Sequence, residues 1–244
     1  MVNIAIFLQS ISICLFCTMN IGIIDVLKRI RLFFILYLVL LCTCLILKLL
    51  FTKEVIYFTV NGWNFTFADQ IAPYITDMGN GWTIVTLSAI LTLFNYRIAF
   101  LMASTYAITS LFAQVVKYFA DASRPILYFH DKLSLIHLVK GVDMLKYNSF
   151  PSGHTVTAFS TAVVITYLAK NKNWGVLLLI IAMLIGYSRM YLSQHFFEDV
   201  TAGSVIGVVI TVCWLSYIDR KQFLHSPKWN RGLLFRSAAS NPKS

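Results

Sequence analysis

The chain has 244 residues, of which 58% are hydrophobic and only 12% are charged, and its mean hydropathy is +0.74. Charged residues make up about a quarter of an average soluble domain, so this composition excludes an ordinary soluble protein and predicts a polytopic membrane protein. The net charge of +10 is unevenly placed, because the segment after Tyr217 is strongly basic. Behind a membrane span, such a tail indicates the cytoplasmic side and contact with anionic lipid rather than nucleic acid.

Apolar stretches of membrane-helix character recur along the chain. The first, residues 3–25, fits an extra span, an interfacial helix or an extension upstream of the true start, and the sequence does not separate these alternatives. Six further spans are predicted at Phe33–Phe51, Trp82–Asn95, Ile98–Val116, His154–Ala169, Trp174–Tyr191 and Phe196–Tyr217. The expected fold is therefore all-α, a polytopic membrane bundle of six core transmembrane helices with an additional N-terminal apolar segment.

Two stretches between the spans are more polar. Residues 52–80 indicate a loop with an amphipathic piece in the membrane interface, where aromatic side chains prefer to lie. Residues 118–150 form the longest polar stretch. Six positive residues share one side with the basic tail: Lys28, Arg29, Arg31, Arg97, Lys170 and Lys172. The positive-inside rule makes that side cytoplasmic, so residues 118–150 and the turn near Ser193 lie on the opposite face. Four lysines on that face are exceptions that weaken the prediction: Lys53, Lys132, Lys140 and Lys146.

A histidine and a carboxylate mark the last polar motif, S-R-x5-H-x3-D at Ser188–Asp199. His195 and Asp199 are four residues apart, which on a helix places them one turn apart on one face. The carboxylate can then accept the N–H of one ring nitrogen and leave the other nitrogen free as a nucleophile. Glu198 points about 100° away and is expected to face solvent or head groups. Taken alone, the pair also fits an interfacial histidine beside a helix-start aspartate.

A second motif, Pro151-Ser152-Gly153-His154, begins a predicted span. Proline suits the first turn of a helix, Ser152 is a candidate cap, and Gly153 lets backbone N–H groups approach a ligand closely. Free N–H groups at a helix N-terminus bind anions, and His154 is placed to donate a proton to a leaving oxygen. Taken alone, this motif also fits an ordinary capped helix.

Three cations complete the polar set. Lys117 lies near the end of a span, Arg124 precedes a proline that stops a helix, and Arg189 lies in the outer end of an apolar helix. Arginine forks match phosphate oxygens bidentately, and an ionisable residue inside a membrane is usually functional. Lys117 by itself also fits a snorkelling side chain. Cations beside two imidazoles predict a site for a dense oxyanion such as phosphate.

In chain order the motifs K-x6-R-P, P-S-G-H and S-R-x5-H-x3-D resemble the signature of the type 2 phosphatidic acid phosphatase superfamily, over about residues 33–217. The resemblance implies a six-span bundle whose catalytic core is similar to that of the vanadium haloperoxidases. It implies that His195 attacks phosphorus to give a phosphohistidine, that Asp199 positions it, and that His154 protonates the leaving group and then activates water. The implied phosphate-binding residues are Lys117, Arg124, Ser152, Gly153 and Arg189.

The resemblance implies a lipid phosphatase that needs no metal and no cofactor, at the periplasmic side of a bacterial inner membrane. Candidate substrates are undecaprenyl diphosphate, phosphatidylglycerol phosphate, phosphatidic acid and lipid A. A phosphotransferase acting on a second lipid, and a non-catalytic lipid-phosphate binder or transporter, are the alternatives. The paired histidines favour the enzyme, because a binder would not need them. The expected domains are an N-terminal segment at 1–32, the phosphatase-like membrane domain at 33–218 and the basic tail at 219–244.

Overall fold

The computed structural model describes residues 22–234, and this part of the chain is helical without any strand. The α-helices are numbered here in chain order: α1 (Ile23–Arg29), α2 (Arg31–Leu50), α3 (Lys53–Gly62), α4 (Thr66–Asp77), α5 (Gly81–Thr92), α6 (Tyr96–Ala120), α7 (Pro125–Tyr128), α8 (Gly153–Leu168), α9 (Trp174–Tyr191) and α10 (Phe197–Ile218). Two 3-10 helices lie at His130–Leu135 and Gln222–His225. Residues 3–21 lie outside the described part of the chain, so the structure does not test the alternatives for residues 3–25.

Each of the six predicted spans coincides with a helix, namely α2, α5, α6, α8, α9 and α10. Within the described part of the chain, four segments are long and apolar enough to cross a bilayer: Arg31–Leu50, Tyr96–Tyr128, Trp174–Tyr191 and Phe197–Ile218. The helices α5 and α8 have 12 and 16 residues, which correspond to about 18 and 24 Å. Both are shorter than a hydrocarbon core of about 30 Å, so the number of crossing helices stays a prediction.

Residues 52–80 contain more helix than the sequence predicted, because they form α3 and α4. The hydroxyl of Thr52 caps α3 by accepting a hydrogen bond from Val55 N at 3.3 Å. Each helix is amphipathic and buries residues four apart on one face: Tyr57 and Asn61 on α3, Ala72 and Thr76 on α4. Exposed aromatic side chains lie on α4, at Phe67 and Tyr74, and in the connection between the two helices, at Trp63 and Phe65.

The central helix is α8, which is buried on nearly all sides among α6, α9 and α10. Two glycines of α10 make the closest of these contacts possible. A Cβ atom at Gly203 would lie 2.7 Å from the carbonyl oxygen of Ser152, and one at Gly207 would lie 2.7 Å from that of Val156. No real Cβ tolerates such distances, so any side chain at either glycine would push α10 away from the start of α8.

A buried ion pair organises the end of the bundle that carries the basic residues. Arg97 donates to both carboxylate oxygens of Asp219, at 2.7 and 2.8 Å, and Asp219 also accepts from Tyr167 Oη at 2.6 Å. Arg29 stacks over the Tyr167 ring, and Lys172 donates to the Tyr167 carbonyl oxygen. These cations therefore share one end of the bundle, as the charge distribution predicted.

The described part of the basic tail folds back on this same end. Its backbone carbonyl groups accept hydrogen bonds from the first two N–H groups of α6, Trp229 O from Arg97 N at 2.9 Å and Arg231 O from Tyr96 N at 3.0 Å. These N–H groups have no partner inside their own helix. Contact between the tail and anionic lipid stays a prediction.

We expect Arg97→Ala to destabilise the protein by about 3 kcal/mol, because Asp219 would be left as a buried charge without its main partner. Thermal unfolding of the detergent-purified protein measures the change. Arg31→Ala, at an exposed arginine of the same end, is the matched control and should change the unfolding temperature little. Equal losses in the two variants would contradict a specific role for the ion pair.

Candidate active site

The three polar motifs meet at the end of the bundle opposite Arg97 and Asp219. The eight residues predicted from the sequence all lie there, at helix ends or in the adjoining loops: Lys117, Arg124, Ser152, Gly153, His154, Arg189, His195 and Asp199. The second and third motifs are joined directly, since the N–H of Ser152 donates to the carbonyl oxygen of Asp199 at 2.9 Å.

The first motif is tied to the loop that precedes α8. Lys117, in the last turn of α6, donates from Nζ to Asn148 O at 2.7 Å. Arg124 donates from Nε to Tyr147 O at 2.9 Å and from its backbone N–H to Lys146 O at 2.8 Å. Two cations of the first motif thus determine the path of the chain that leads into the second motif.

Arg124 also contacts the third motif. Its side chain is buried, and Nη1 donates to the backbone oxygen of Gln194 at 3.0 Å and to Gln194 Oε1 at 3.2 Å. The same nitrogen lies 3.4 Å from His195 Nε2. A guanidinium group that can bind an oxyanion is therefore placed beside one ring nitrogen of His195.

The other ring nitrogen faces the carboxylate, as predicted, but the local structure differs from the prediction. His195 lies in the loop before α10 and not on a helix with Asp199, because α10 begins at Phe197 and Asp199 is its third residue. The carboxylate caps the helix by accepting from Phe196 N at 2.8 Å. His195 Nδ1 lies 3.4 Å from Asp199 Oδ2 and has no hydrogen-bond partner among residues 22–234, so the ring and the carboxylate face each other without a hydrogen bond.

Two residues that the sequence did not single out complete this arrangement. Ser149 is fully buried and donates from Oγ to Asp199 Oδ2 at 2.5 Å. Gln194, besides contacting Arg124, donates from Nε2 to Asp143 O at 2.9 Å. No sequence signal identifies these contacts, because their partners are about 50 or more positions away.

The second motif forms the N-terminus of α8. Ser152 occupies the cap position, but the prediction that its side chain caps the helix is wrong: Ser152 Oγ accepts instead from Thr155 Oγ1 at 2.9 Å. Since no side chain of residues 22–234 caps α8, its first N–H groups stay available to an anion. A cavity of about 180 Å³ adjoins this helix start, and Lys117, Gly153 and His154 line it.

Arg189 is held by a helix of the interfacial region. It lies in the last turn of α9, is 7% exposed, and donates from Nη1 to Thr76 Oγ1 of α4 at 2.9 Å. Its Nε atom is buried without a hydrogen-bond partner among the described residues. A buried, unpaired donor is costly, so this atom is available to a bound anion.

Glu198 was predicted to face solvent or head groups, but its side chain is only 22% exposed and pairs with Lys53 Nζ at 2.6 Å. Lys53 also lies over the ring of Phe196 at 4.2 Å. The pair joins the start of α3 to the first turn of α10. This lysine, an exception to the positive-inside rule, therefore has a carboxylate partner in the structure.

Burial lowers the pKa of His195 well below its ordinary value, and the charges of Arg124, Arg189 and Lys117 lower it further. The imidazole is therefore neutral at neutral pH, as a nucleophilic nitrogen must be. The eight predicted residues include three cationic side chains and one carboxylate, that of Asp199. The site is thus complementary to an anion. Residues 22–234 contain no group of three or more His, Cys, Asp or Glu side chains that could hold a metal ion.

A family model described as the PAP2 superfamily matches residues 97–223, which include all eight predicted site residues. The undecaprenyl-diphosphatase of Sulfolobus acidocaldarius is 27% identical over 195 residues, 77% of this chain and 89% of that protein. Phosphatidylglycerophosphatase B of Bacillus subtilis is 38% identical over 71 residues, 25% of this chain and 35% of that protein. The chain thus spans about a third of the length of this second relative.

Among solved structures, the crystal structure of LpxE from Aquifex aeolicus has a TM-score of 0.59 and 25% identity, and the alignment covers 66% of this chain and 93% of that one. A transmembrane PAP2-type phosphatidylglycerolphosphate phosphatase from Bacillus subtilis has a TM-score of 0.57 with 22% identity. These likenesses confirm the prediction of an all-α, multi-pass membrane fold.

We expect the stability of the protein to fall as the pH decreases below about 6.5, the pKa of an unfolded histidine. The folded state holds His195 neutral while the unfolded chain takes up a proton, so this contribution is present above that pH and lost below it. His195→Gln, which cannot titrate there, should flatten the dependence. Unfolding temperatures between pH 5 and 8 measure it, with His130→Gln at an exposed histidine as control. The same slope in His195→Gln and the wild type would contradict the assignment.

Proposed function

Because the chain belongs to the PAP2 superfamily of membrane lipid phosphatases, as its motifs predicted, we propose that it hydrolyses a lipid phosphate or diphosphate through a phosphohistidine intermediate without a metal ion. The observation that carries this proposal is the environment of His195. Its Nε2 lies 3.4 Å from Nη1 of the Arg124 guanidinium group, and its Nδ1 lies 3.4 Å from Asp199 Oδ2. The proposed nucleophile His195, the carboxylate that faces it and the guanidinium group of Arg124 therefore lie together in one buried site.

Substrate binding places the phosphoryl group among the cations and the start of α8. Arg124, Arg189 and Lys117 bind its oxygens, together with the free N–H groups at Gly153. Ser152 contributes a hydroxyl proton, which is available because its oxygen accepts from Thr155 and its own hydrogen has no partner among the described residues. These preorganised donors stabilise the charge that develops in the transition state.

In the first step the lone pair of His195 Nε2 attacks phosphorus and the bond from phosphorus to the leaving oxygen breaks. His154, which is protonated when the phosphate anion is bound, gives that proton to the leaving oxygen, and Asp199 stabilises the positive charge that forms on the ring of His195. In the second step His154 takes a proton from water as the water oxygen attacks phosphorus. The phosphorus–nitrogen bond breaks, its electron pair returns to Nε2, and inorganic phosphate leaves.

The two ends of the bundle support an orientation in the membrane. The end with Arg97 and the basic tail is cytoplasmic by the positive-inside rule, so the site lies at the opposite face, which is the periplasmic side in a bacterial inner membrane. Exposed basic residues of the tail would then contact anionic lipid of the cytoplasmic leaflet. The substrate is a lipid whose phosphate lies at the outer interface. The names of the relatives support undecaprenyl diphosphate and phosphatidylglycerol phosphate, and phosphatidic acid and lipid A are further candidates.

We expect the purified protein to release phosphate from one of these four lipids with EDTA present, and His195→Ala to lower the rate at least about a thousandfold. The expected loss follows from removal of the attacking atom. A colorimetric phosphate assay in detergent measures it, and His130→Ala at an exposed loop histidine should keep full activity.

Several outcomes would contradict this proposal. Turnover that survives in His195→Ala would show that the reaction does not pass through a phosphohistidine at His195. Turnover abolished by EDTA would show that the reaction needs a metal ion. Transfer of phosphate to an added lipid, without release, would indicate a phosphotransferase. Binding of the lipid without either reaction, unchanged in His195→Ala, would indicate a binder or transporter.

We expect Ser149→Ala to lower kcat about tenfold with little change in KM. A hydrogen bond to a charged group contributes about 1.5–3 kcal/mol, and this one orients the carboxylate that faces His195 without contacting substrate. Steady-state kinetics on the preferred lipid measure the effect. Ser134→Ala, at an exposed serine of the 3-10 helix, is the control. A change in KM alone would show that Ser149 acts on substrate binding instead.

A further inference from the structure

The loop that carries His195 is held from the side by α3. Tyr57 Oη donates to Ser193 Oγ at 2.9 Å, and Asn61 Nδ2 donates to the same oxygen at 3.1 Å. Tyr57 and Asn61 lie one turn apart on the buried face of α3, and all three side chains are at most 4% exposed. Both acceptor positions of one buried hydroxyl are therefore used. We call Tyr57, Asn61 and Ser193 the Ser193 clamp.

The clamped residue has a backbone conformation that needs support. Ser193 has φ +54°, in the left-handed region that serine rarely adopts, and such residues persist only when their surroundings determine them. In the same turn the N–H groups of Gln194 and His195 both donate to Arg189 O, at 3.0 and 3.2 Å. The conformation at Ser193 therefore decides where His195 lies relative to the end of α9.

Asn61 connects this turn to a second loop. Its Oδ1 accepts from His137 N at 2.8 Å, and its Nδ2 donates to His137 O at 2.9 Å as well as to Ser193. Both amide protons and the carbonyl oxygen of Asn61 are thus used in a site with almost no exposure. Asn61 therefore ties both the His195 loop and the loop at His137 to α3.

We propose that Tyr57 and Asn61 are positioning residues for the phosphatase reaction, which place His195 Nε2 beside Arg124 by holding Ser193. The inference rests on the proposed function, in which His195 is the nucleophile. Tyr57 and Asn61 lie outside residues 97–223 that the family model matches, and Ser193 occupies an unspecified position of the third motif. The clamp is therefore not part of the motifs that predicted the site.

The decisive variant is Tyr57→Phe, because it removes one hydrogen bond and keeps the ring that packs against Phe129 and Phe196. We expect kcat to fall about tenfold, with KM and the inhibition constant of inorganic phosphate changed by less than about twofold. The double variant Tyr57→Phe with Ser193→Ala should be no slower than Ser193→Ala alone, since both remove the same bond. Tyr74→Phe, at an exposed tyrosine of α4, is the matched control.

A second measurement does not depend on turnover. Diethyl pyrocarbonate modifies neutral histidines, and mass spectrometry gives the rate at His195, which is 2% exposed in the intact site. In Tyr57→Phe the rate should rise about fivefold because the loop opens locally more often, whereas it should not change in Tyr74→Phe. Unfolding temperatures of all variants are recorded alongside.

The outcomes separate the possibilities. Unchanged kcat and unchanged modification of His195 in Tyr57→Phe would overturn the proposal. So would a fall in kcat that is matched by weaker phosphate inhibition and a lower unfolding temperature, because that is a general loosening of the fold. If Ser193→Ala does not fold, Tyr57→Phe decides alone. If the wild type hydrolyses no lipid phosphate, the proposed function fails, and the modification rates by themselves decide whether the clamp positions His195.

Discussion

The burial of two guanidinium groups at one end of a membrane bundle is the constraint on which the rest of the site depends. Arg124 and Arg189 are 6% and 7% exposed, and a buried charge is costly unless it is hydrogen-bonded. Backbone carbonyl groups and a threonine hydroxyl supply most of those bonds, and no carboxylate among residues 22–234 accepts a hydrogen bond from either arginine. Because the positive charge stays largely uncompensated, the site is complementary to an anion. The loops that offer the carbonyl groups must keep their conformations to hold the two guanidinium groups.

Close packing of α8 against α10 joins the second and third motifs. Gly203 and Gly207 let the two helices approach until the N–H of Ser152 reaches the carbonyl oxygen of Asp199. Ser149, just before α8, then reaches the Asp199 carboxylate. The residue that faces His195 is thus anchored by the segment that leads to His154. The proposed nucleophile and the proposed acid are consequently parts of one rigid unit.

The interfacial helices α3 and α4 form the third support of the site. Their buried faces contact the end of α9, the His195 loop and the start of α10, through Asn61, Thr76 and Lys53 among others. Exposed aromatic side chains suited to the membrane interface lie on α4 and in the connection between the two helices. The two helices therefore contact the loops of the candidate site on their buried faces, while α4 and the α3–α4 connection expose aromatic side chains.

The sequence by itself determined the apolar helices and predicted eight residues that the structure brings together at one end of the bundle. Both signals are local: long apolar runs, and chemically unusual residues at short spacings within them. The helices α3 and α4 were underestimated, since their buried polar residues, such as Asn61 and Thr76, resemble loop residues until their partners are known. Only the tertiary structure decided that His195 lies outside α10, because Asp199 caps that helix. It also decided the contacts of Ser149 and Ser193, whose hydrogen-bond partners lie 50 to 136 positions away, beyond the reach of any local pattern.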